Sequence, residues 1–413
     1  MADPIEAHYD GFPYPQARSM TVPRAPTHTA GVLSYLLRRR AHDALPTHPA
    51  VWVAGCGTLQ GATWGRVFPS GSVLATDVSR VTLDRASELA SRVGANNVRF
   101  ERHDLREAPP GGPFDLVVCT GVVHHLPEPV AGLRRIREAL APDGAASVMV
   151  YSHPHRAPFE PLRRASLALA EGNPSPYAVA CRVLDAALHG RGEPLGRAAL
   201  EALWAHREDD RSLVADVLLN PREVTYRVDE LPGLLGAAGL RFVEWLHPGA
   251  WSLALYADDA ALAARASRLG PLGEAAVIQQ IAGLASPLLE LLVERDDAPP
   301  RAPYTRDEKL AMPMALSPGA RELDLAGGER EVTPFAVRDG AITGTARAGV
   351  GAPGRAWSLG AEALPLLEAF DGTRTVAEVQ RAFADRVTED GVVALVDALG
   401  PRDVGLLAPA WAR

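Results

Sequence analysis

The sequence predicts an α/β fold built on a mostly parallel sheet, and three observations carry that prediction. Short apolar runs alternate with helical patterns at lengths suited to strand–helix–strand units. The first run, Val51-Trp52-Val53-Ala54, ends in the glycine turn Gly55-Cys56-Gly57, with room for a helix behind it. Later runs end at Asp77, Asp104 and Thr120, all at the carboxyl ends of strands, where such sheets gather their ligands.

Each element follows in order. A buried strand feeding a Gly-x-Gly turn brings main-chain N–H groups close to a nucleotide-like ligand. Ser72 to Asp77 is a second strand, and its carboxylate lies 20 residues beyond Gly57. An acid there can accept hydrogen bonds from both hydroxyls of a ribose. Val98 to Leu105 sets Asp104 after a third strand. Phe114 to Gly121 makes a fourth, followed by Val122-Val123-His124-His125-Leu126. Leu133, Ile136 and Leu140 fall on one helical face, and Ala141-Pro142-Asp143-Gly144 turns into a fifth strand, Ala146 to Tyr151.

Together these pieces resemble the class I S-adenosylmethionine-dependent methyltransferases, well over residues 48–152 and more loosely over 221–257. The resemblance implies a Rossmann-like, mostly parallel seven-stranded sheet, S-adenosyl-L-methionine as cofactor and S-adenosyl-L-homocysteine as product. Gly55, Cys56 and Gly57 would pass beside the methionine part of the cofactor. Asp77, with Val78, would hold the ribose, and Asp104 and Leu105 would meet the adenine. Thr120, Gly121 and the His124-His125 pair would line the sulfonium and the acceptor. Two positions depart from the family pattern. Val53 stands where an acid usually helps orient the cofactor's amino group, and Leu59 stands where the third glycine of Gly-x-Gly-x-Gly belongs.

A chain of 413 residues exceeds one ordinary core, so two or three domains are expected. The apolar fraction of 47% and charged fraction of 22% are those of an ordinary globular protein. A net charge of −8, with no basic tract beyond Arg38-Arg39-Arg40, argues against gripping a nucleic-acid backbone. The single lysine, Lys309, argues against lysine catalysis. Cys56, Cys119 and Cys181 are far apart, which favours free thiols over a disulfide framework. The N-terminus lacks a basic start and apolar run, and no stretch is long and apolar enough to span a membrane; a cytoplasmic location is expected.

The layout reads as an arm with a lid helix (1–45), a methyltransferase domain (46–257), a helical connector (258–300) and a C-terminal α+β module (301–413). The arm is irregular up to a helix around Ala30 to His42. Its segment from His8 to Pro15 is aromatic and proline-rich, either a surface strap or a lid. A similar Tyr-Pro arm precedes the glycine turn in a group of bacterial methyltransferase-domain proteins, which supports the lid and makes Tyr9 and Tyr14 the residues to reach the site. Residues 153–220 read as a helical insertion, with helices at Pro161–Glu171, Tyr177–His189, Leu195–Arg207 and Asp209–Leu219. Inserted after the fifth strand, they hang over the carboxyl ends of the sheet. Asp229 to Ala238 reads as a helix stopped at Gly239, with last strands at Leu240–Leu246 and Trp251–Tyr256. Two amphipathic helices fill 258–296, and 296–303 reads as a linker. The final block, with a turn at Asp339-Gly340 and Asp371-Gly-Thr-Arg-Thr375 between helices, resembles small winged-helix modules, some of which, of the pyrroloquinoline-quinone biosynthesis type, recognise leader peptides. Thr373 or Thr375 would cap the next helix. Dimerisation of the chain and peptide recognition both stay open for this block.

Methyl transfer from a sulfonium is an in-line displacement, so the protein mainly positions an acceptor and removes its proton. Histidine suits a general base near neutral pH. His124 and His125 are candidates, His124 first, with Tyr151 at the pocket rim. His153-Pro154-His155 has no Cys or carboxylate partner in sequence and reads as loop rather than metal site. The leading expectation is methyl transfer to oxygen or nitrogen of a small metabolite, natural product or peptide. Two rivals remain: a non-catalytic cofactor- or peptide-binding protein, kept open by Val53 and Leu59, and an NAD(P)-dependent oxidoreductase using Gly55-x-Gly57-x-x-x-Gly61 and Asp77.

Overall fold

The structure, a computed structural model, describes residues 3–37, 46, 48–299, 301–346, 355–402 and 404–410. The arm holds α1 (Pro4–Gly11), β1 (Ser19–Pro23) and α2 (Pro26–Leu36). Strands and helices then alternate: β2 (Ala50–Ala54), α3 (Gln60–Val67), β3 (Ser72–Asp77), α4 (Arg80–Arg92), β4 (Val98–Arg102), β5 (Phe114–Thr120), α5 (Pro129–Ala139) and β6 (Leu140–Val150). The insertion is α6 (His153–Arg156), α7 (Glu160–Ala170), α8 (Pro176–His189), α9 (Arg197–Ala205) and α10 (Arg211–Leu219). The sheet finishes with α11 (Leu231–Ala237), β7 (Leu240–Trp245), α12 (Ala260–Ser267), α13 (Gly270–Ala282) and β8 (Leu289–Arg295).

Seven strands form one sheet in the order β4-β3-β2-β5-β6-β8-β7. The first five pair in parallel, and β8 runs antiparallel to both β6 and β7. Side-chain alternation divides the core into two faces. Trp52, Leu74, Val117 and Val148 face α5, α11 and α13, while Val51, Val53, Val73, Leu116 and Val118 face α2 and α4. Both faces are therefore covered, as a parallel sheet requires. Trp52 is fully buried yet satisfied, since its indole N–H donates to Thr76 Oγ1 at 2.9 Å.

Several expectations need correction. Trp251–Tyr256 is not a strand; it forms two 3₁₀ turns, Pro248–Trp251 and Leu253–Leu255. Trp251 there stacks on Trp245 at 4.3 Å, so the apolar spacing serves turn packing. The seventh strand is β8, taken from the stretch read as helical connector. Leu-Glu-Leu-Leu-Val-Glu-Arg looks helical in isolation, but lying between two strands overrides propensity. Buried Glu294 is held there by Arg241 at 2.8 Å and by Arg301. Nor is 258–300 a connector, because Ala266, Ala275 and Ile278 of α12 and α13 belong to the sheet's core. The His153–His155 segment is one helical turn rather than a loop. The arm is more regular than expected, and α2 starts at Pro26. The helix ends at Leu36 rather than at His42, and the Arg38–Arg40 tract lies outside the described residues.

The C-terminal block contains α14 (Arg306–Ala311), β9 (Pro313–Leu316), β10 (Ala320–Asp324), β11 (Glu329–Val332), β12 (Ala336–Arg338), β13 (Ala341–Ala346), β14 (Arg355–Gly360), α15 (Leu364–Glu368), β15 (Asp371–Thr375), α16 (Val376–Ala382), α17 (Glu389–Leu399) and β16 (Leu407–Pro409). The Asp339-Gly340 turn joins β12 to β13, both residues at positive φ. Asp371–Thr375 is a strand on β9, not a free turn. Thr375 caps α16 in a capping box with Glu378. The arm binds this block directly. β1 pairs antiparallel with β10, Ser19 opposite Asp324, and Gly31 of α2 lies against the Pro409 carbonyl, where a Cβ would come within 2.1 Å.

Candidate active site

The carboxyl ends of the parallel strands open into a cavity of about 440 Å³. Its first wall is local in sequence. Gly55 (φ +70°) and Gly57 (φ +53°) adopt left-handed backbone that favours glycine. The Cys56 amide donates to the Thr76 carbonyl at 2.8 Å, tying the turn to β3. Asp77 accepts the amides of Gly57 (3.1 Å) and Ser79 (3.0 Å). Burial pushes its carboxyl up to about 6, although the amides of Ser79, Gly57 and Val78 pull the other way. Leu59 lines the cavity in place of a glycine. The close helix–sheet approach falls instead on Gly61, where a Cβ would meet Phe100 at 2.8 Å and Ala75 at 3.1 Å. Val53 lies wholly in the core beneath the turn.

The second wall comes from distant segments. The arm drops onto the glycine turn: Thr58 donates its amide to the Tyr14 carbonyl at 3.1 Å and its hydroxyl to the Pro15 carbonyl at 2.5 Å. A Cβ on Gly57 would stand 2.8 Å from the Tyr14 oxygen, so glycine is what lets the arm seat. Ser79 Oγ donates to Asp10 of α1 at 2.7 Å, and Phe12 packs into the insertion's own core. From α10, buried Asp216 accepts Tyr9 OH at 3.0 Å, Tyr151 OH at 2.9 Å and Asn220 Nδ2 at 3.3 Å. Burial alone would raise the Asp216 carboxyl, but His125, Arg156 and His8 around it and the Tyr151 hydroxyl hold it below the usual range. It is a buried, charged and fully hydrogen-bonded hub. Arg156 lies behind, its guanidinium 4.2 Å from the Tyr151 ring centre and its Nε 2.8 Å from Glu223.

All the sequence-predicted cofactor residues, namely Gly55, Cys56, Gly57, Asp77, Val78, Asp104, Leu105, Thr120 and Gly121, line this one cavity, as do Tyr9 and Tyr14. The Asp104 side chain is engaged elsewhere: burial would raise it, but the Arg106 guanidinium at 2.9 Å holds it below the usual carboxylate range. The catalytic candidates separate. His124, the first choice, does not line the cavity. It is fully buried, stacks on Tyr151 at 3.8 Å, and both ring nitrogens lack a partner. Burial, with His125 and Arg156 nearby, holds it well below the usual imidazole range, so it packs as a neutral ring. His125 does line the cavity. Its Nδ1 meets the Arg222 carbonyl at 2.7 Å, an acceptor, so Nδ1 carries the proton and Nε2, which has no partner, is the free basic nitrogen. Burial lowers His125 and the Asp216 charge opposes that. Tyr151 donates to Asp216, and burial and that carboxylate push its hydroxyl far up, so it is no base.

Sequence reasoning missed Asp216, Asn220 and Glu290. For Asp216 a signal existed: it is the one carboxylate in Ser-Leu-Val-Ala-Asp-Val-Leu-Leu, an otherwise apolar helix of the covering insertion. Glu290 hid within the stretch misread as helix. Among the described residues no cluster could hold a metal ion, and no helix is long and apolar enough to cross a membrane.

Comparison with known proteins matches this geometry. Residues 53–146 fit the model of a methyltransferase domain family. An uncharacterised protein of Synechococcus sp. is 29% identical over 221 residues, 49% of this chain and 50% of that one. The chain thus spans about half the length of that curated relative. PKMT2 from Rickettsia typhi shares the fold at 13% identity with a TM-score of 0.61, covering 93% of this chain and 75% of that one. The same protein in complex with AdoHcy gives a TM-score of 0.60 at 14% identity, over 93% and 76% of the two chains. Residues 53–146 thus match a methyltransferase-domain family, and they lie in a seven-stranded sheet with the fold of PKMT2, its glycine turn at the cavity wall.

Proposed function

We propose that the protein is an S-adenosylmethionine-dependent methyltransferase that moves a methyl group to oxygen or nitrogen of a small molecule or peptide. The observation that carries this reading is one cavity with two kinds of wall. On one side stand the Gly55–Gly57 turn and the Asp77 carboxylate; on the other, His125, whose buried Nε2 has no hydrogen-bond partner. The donors fit the cofactor. Asp77 keeps lone pairs for ribose hydroxyls beyond its two amide contacts, and Leu59, Val78 and Leu105 give apolar surface for a nucleoside. When bound, the cofactor supplies an activated methyl group. The chain's own residues do the rest. Tyr14 and Pro15 close over the glycine turn and limit water, Asp216 fixes Tyr9 and Tyr151, and Nε2 of His125 accepts the acceptor's proton.

Calorimetry with S-adenosylmethionine and S-adenosylhomocysteine tests the reading. Micromolar binding, about 8 kcal/mol, supports it. A folded protein, free of carried-over ligand, that binds neither compound returns the case to a non-catalytic binding protein.

A further inference from the structure

Resting on that methyltransferase reading, we propose that the acceptor enters as a protonated primary amine, seated between Glu290 and the Tyr9–Asp216–Tyr151 cluster, and gives one proton to His125 before its neutral nitrogen takes the methyl group. Charge is the first argument. The acceptor end of the cavity holds two carboxylates, Asp216 and Glu290, and among the described residues no lysine or arginine lines the cavity. The nearby cation, Arg156, is already paired with Glu223 behind Tyr151. An anionic acceptor meets two like charges there, and a neutral hydroxyl brings no charge to set against the buried Glu290.

Position is the second argument. Thr120, Met149 and Glu290 face one another across β5, β6 and β8 in register, so one row leads from the methyl-transfer end of the cavity to Glu290. Glu290 lies largely buried beside His247, 3.6 Å away. Burial alone pushes its carboxyl up to about 7. A carboxylate kept in such a place is stabilised when a cation arrives. The third argument is the wall itself. Tyr9, Tyr14 and Tyr151 offer aromatic surface to an ammonium, and Val122, Met149 and Leu288 offer apolar surface to a methylene stem.

The test uses the full chain, with S-adenosylhomocysteine titrated first and n-butylamine hydrochloride or 1-butanol second, all by calorimetry near pH 7.5. The expected result is S-adenosylhomocysteine binding in wild type and Glu290→Gln alike. In the saturated wild type, butylammonium binds at least about tenfold tighter than butanol, equivalent to ~1.4 kcal/mol. Glu290→Gln abolishes that preference, and Glu290→Asp, which keeps the charge, retains part of it. Equal binding of amine and alcohol to wild type overturns the proposal even if no variant folds. So does an unchanged preference in Glu290→Gln. Loss of S-adenosylhomocysteine from Glu290→Gln alone also overturns it, since Glu290 then serves the cofactor. Absence of S-adenosylhomocysteine binding to wild type removes the methyltransferase reading and this proposal with it, an outcome distinct from the others.

Discussion

The two walls of the cavity are built by opposite strategies. The wall around Gly55, Gly57 and Asp77 comes from consecutive strand–loop–helix units, and its contacts are mostly main-chain amides. The wall around Tyr9, His125, Asp216 and Glu290 is drawn from the arm, a loop after β5, the insertion and the last sheet strand, and its contacts run through side chains, two of them meeting at Asp216 and one reaching the Arg222 carbonyl. Backbone geometry tolerates substitution around it, so the first wall can serve a common cofactor. Side-chain networks are individually replaceable, so the second can be retuned for an acceptor.

Substitutions can sharpen or break that contrast. The largest effect is expected at His125. His125→Gln should lower transfer of labelled methyl into a pool of amines and peptides by about 10²–10⁴-fold. S-adenosylhomocysteine affinity should stay unchanged, and a matching loss of affinity would merge the two walls into one functional unit. Next comes acid. His8 sits at about 4 when folded against 6.5 unfolded, because burial disfavours its charge. The unfolded chain therefore binds that proton more readily. Stability is whole above 6.5 and falls as pH drops toward 4, by up to about 3 kcal/mol. Denaturant titrations should show this slope flattened in His8→Gln. Asp77→Ala should weaken S-adenosylhomocysteine by about 1–3 kcal/mol. In wild type that affinity should be steady above neutrality and decline as pH falls through about 6, where Asp77 gains its proton and loses acceptor strength. An affinity independent of pH between 5 and 8 would contradict the ribose role. The smallest effect belongs far from both walls. Thr375→Ala removes a helix cap and should cost about 1 kcal/mol in thermal unfolding while leaving ligand binding untouched.

The same contrast decides what could be read from sequence. The glycine turn, the strand ends at Asp77 and Thr120, and the four long insertion helices announce themselves by local period and turn chemistry. β8 did not, because Leu289–Arg295 has no local strand pattern and takes its state from flanking β6 and β7. The choice between His124 and His125 turned on which ring faces the cavity and which meets the Arg222 carbonyl, 97 residues away. The Tyr9–Asp216 contact spans 207 residues. Adjacent positions on a turn carry no information about such partners.

The pairing of β1 with β10 carries a cost in time. Ser19 lies opposite Asp324, so a ribosome must add about three hundred residues before the arm finds its strand partner. At about 5–20 residues per second that is roughly 15–60 s. During that interval the parallel strands β2 to β6 can pair around Gly55 and Asp77 while the arm still lacks its C-terminal tether. The β1–β10 anchor of the roof is thus a late event of synthesis, and a chain cut short before Asp324 would keep its glycine turn but lose that clasp on the arm above it.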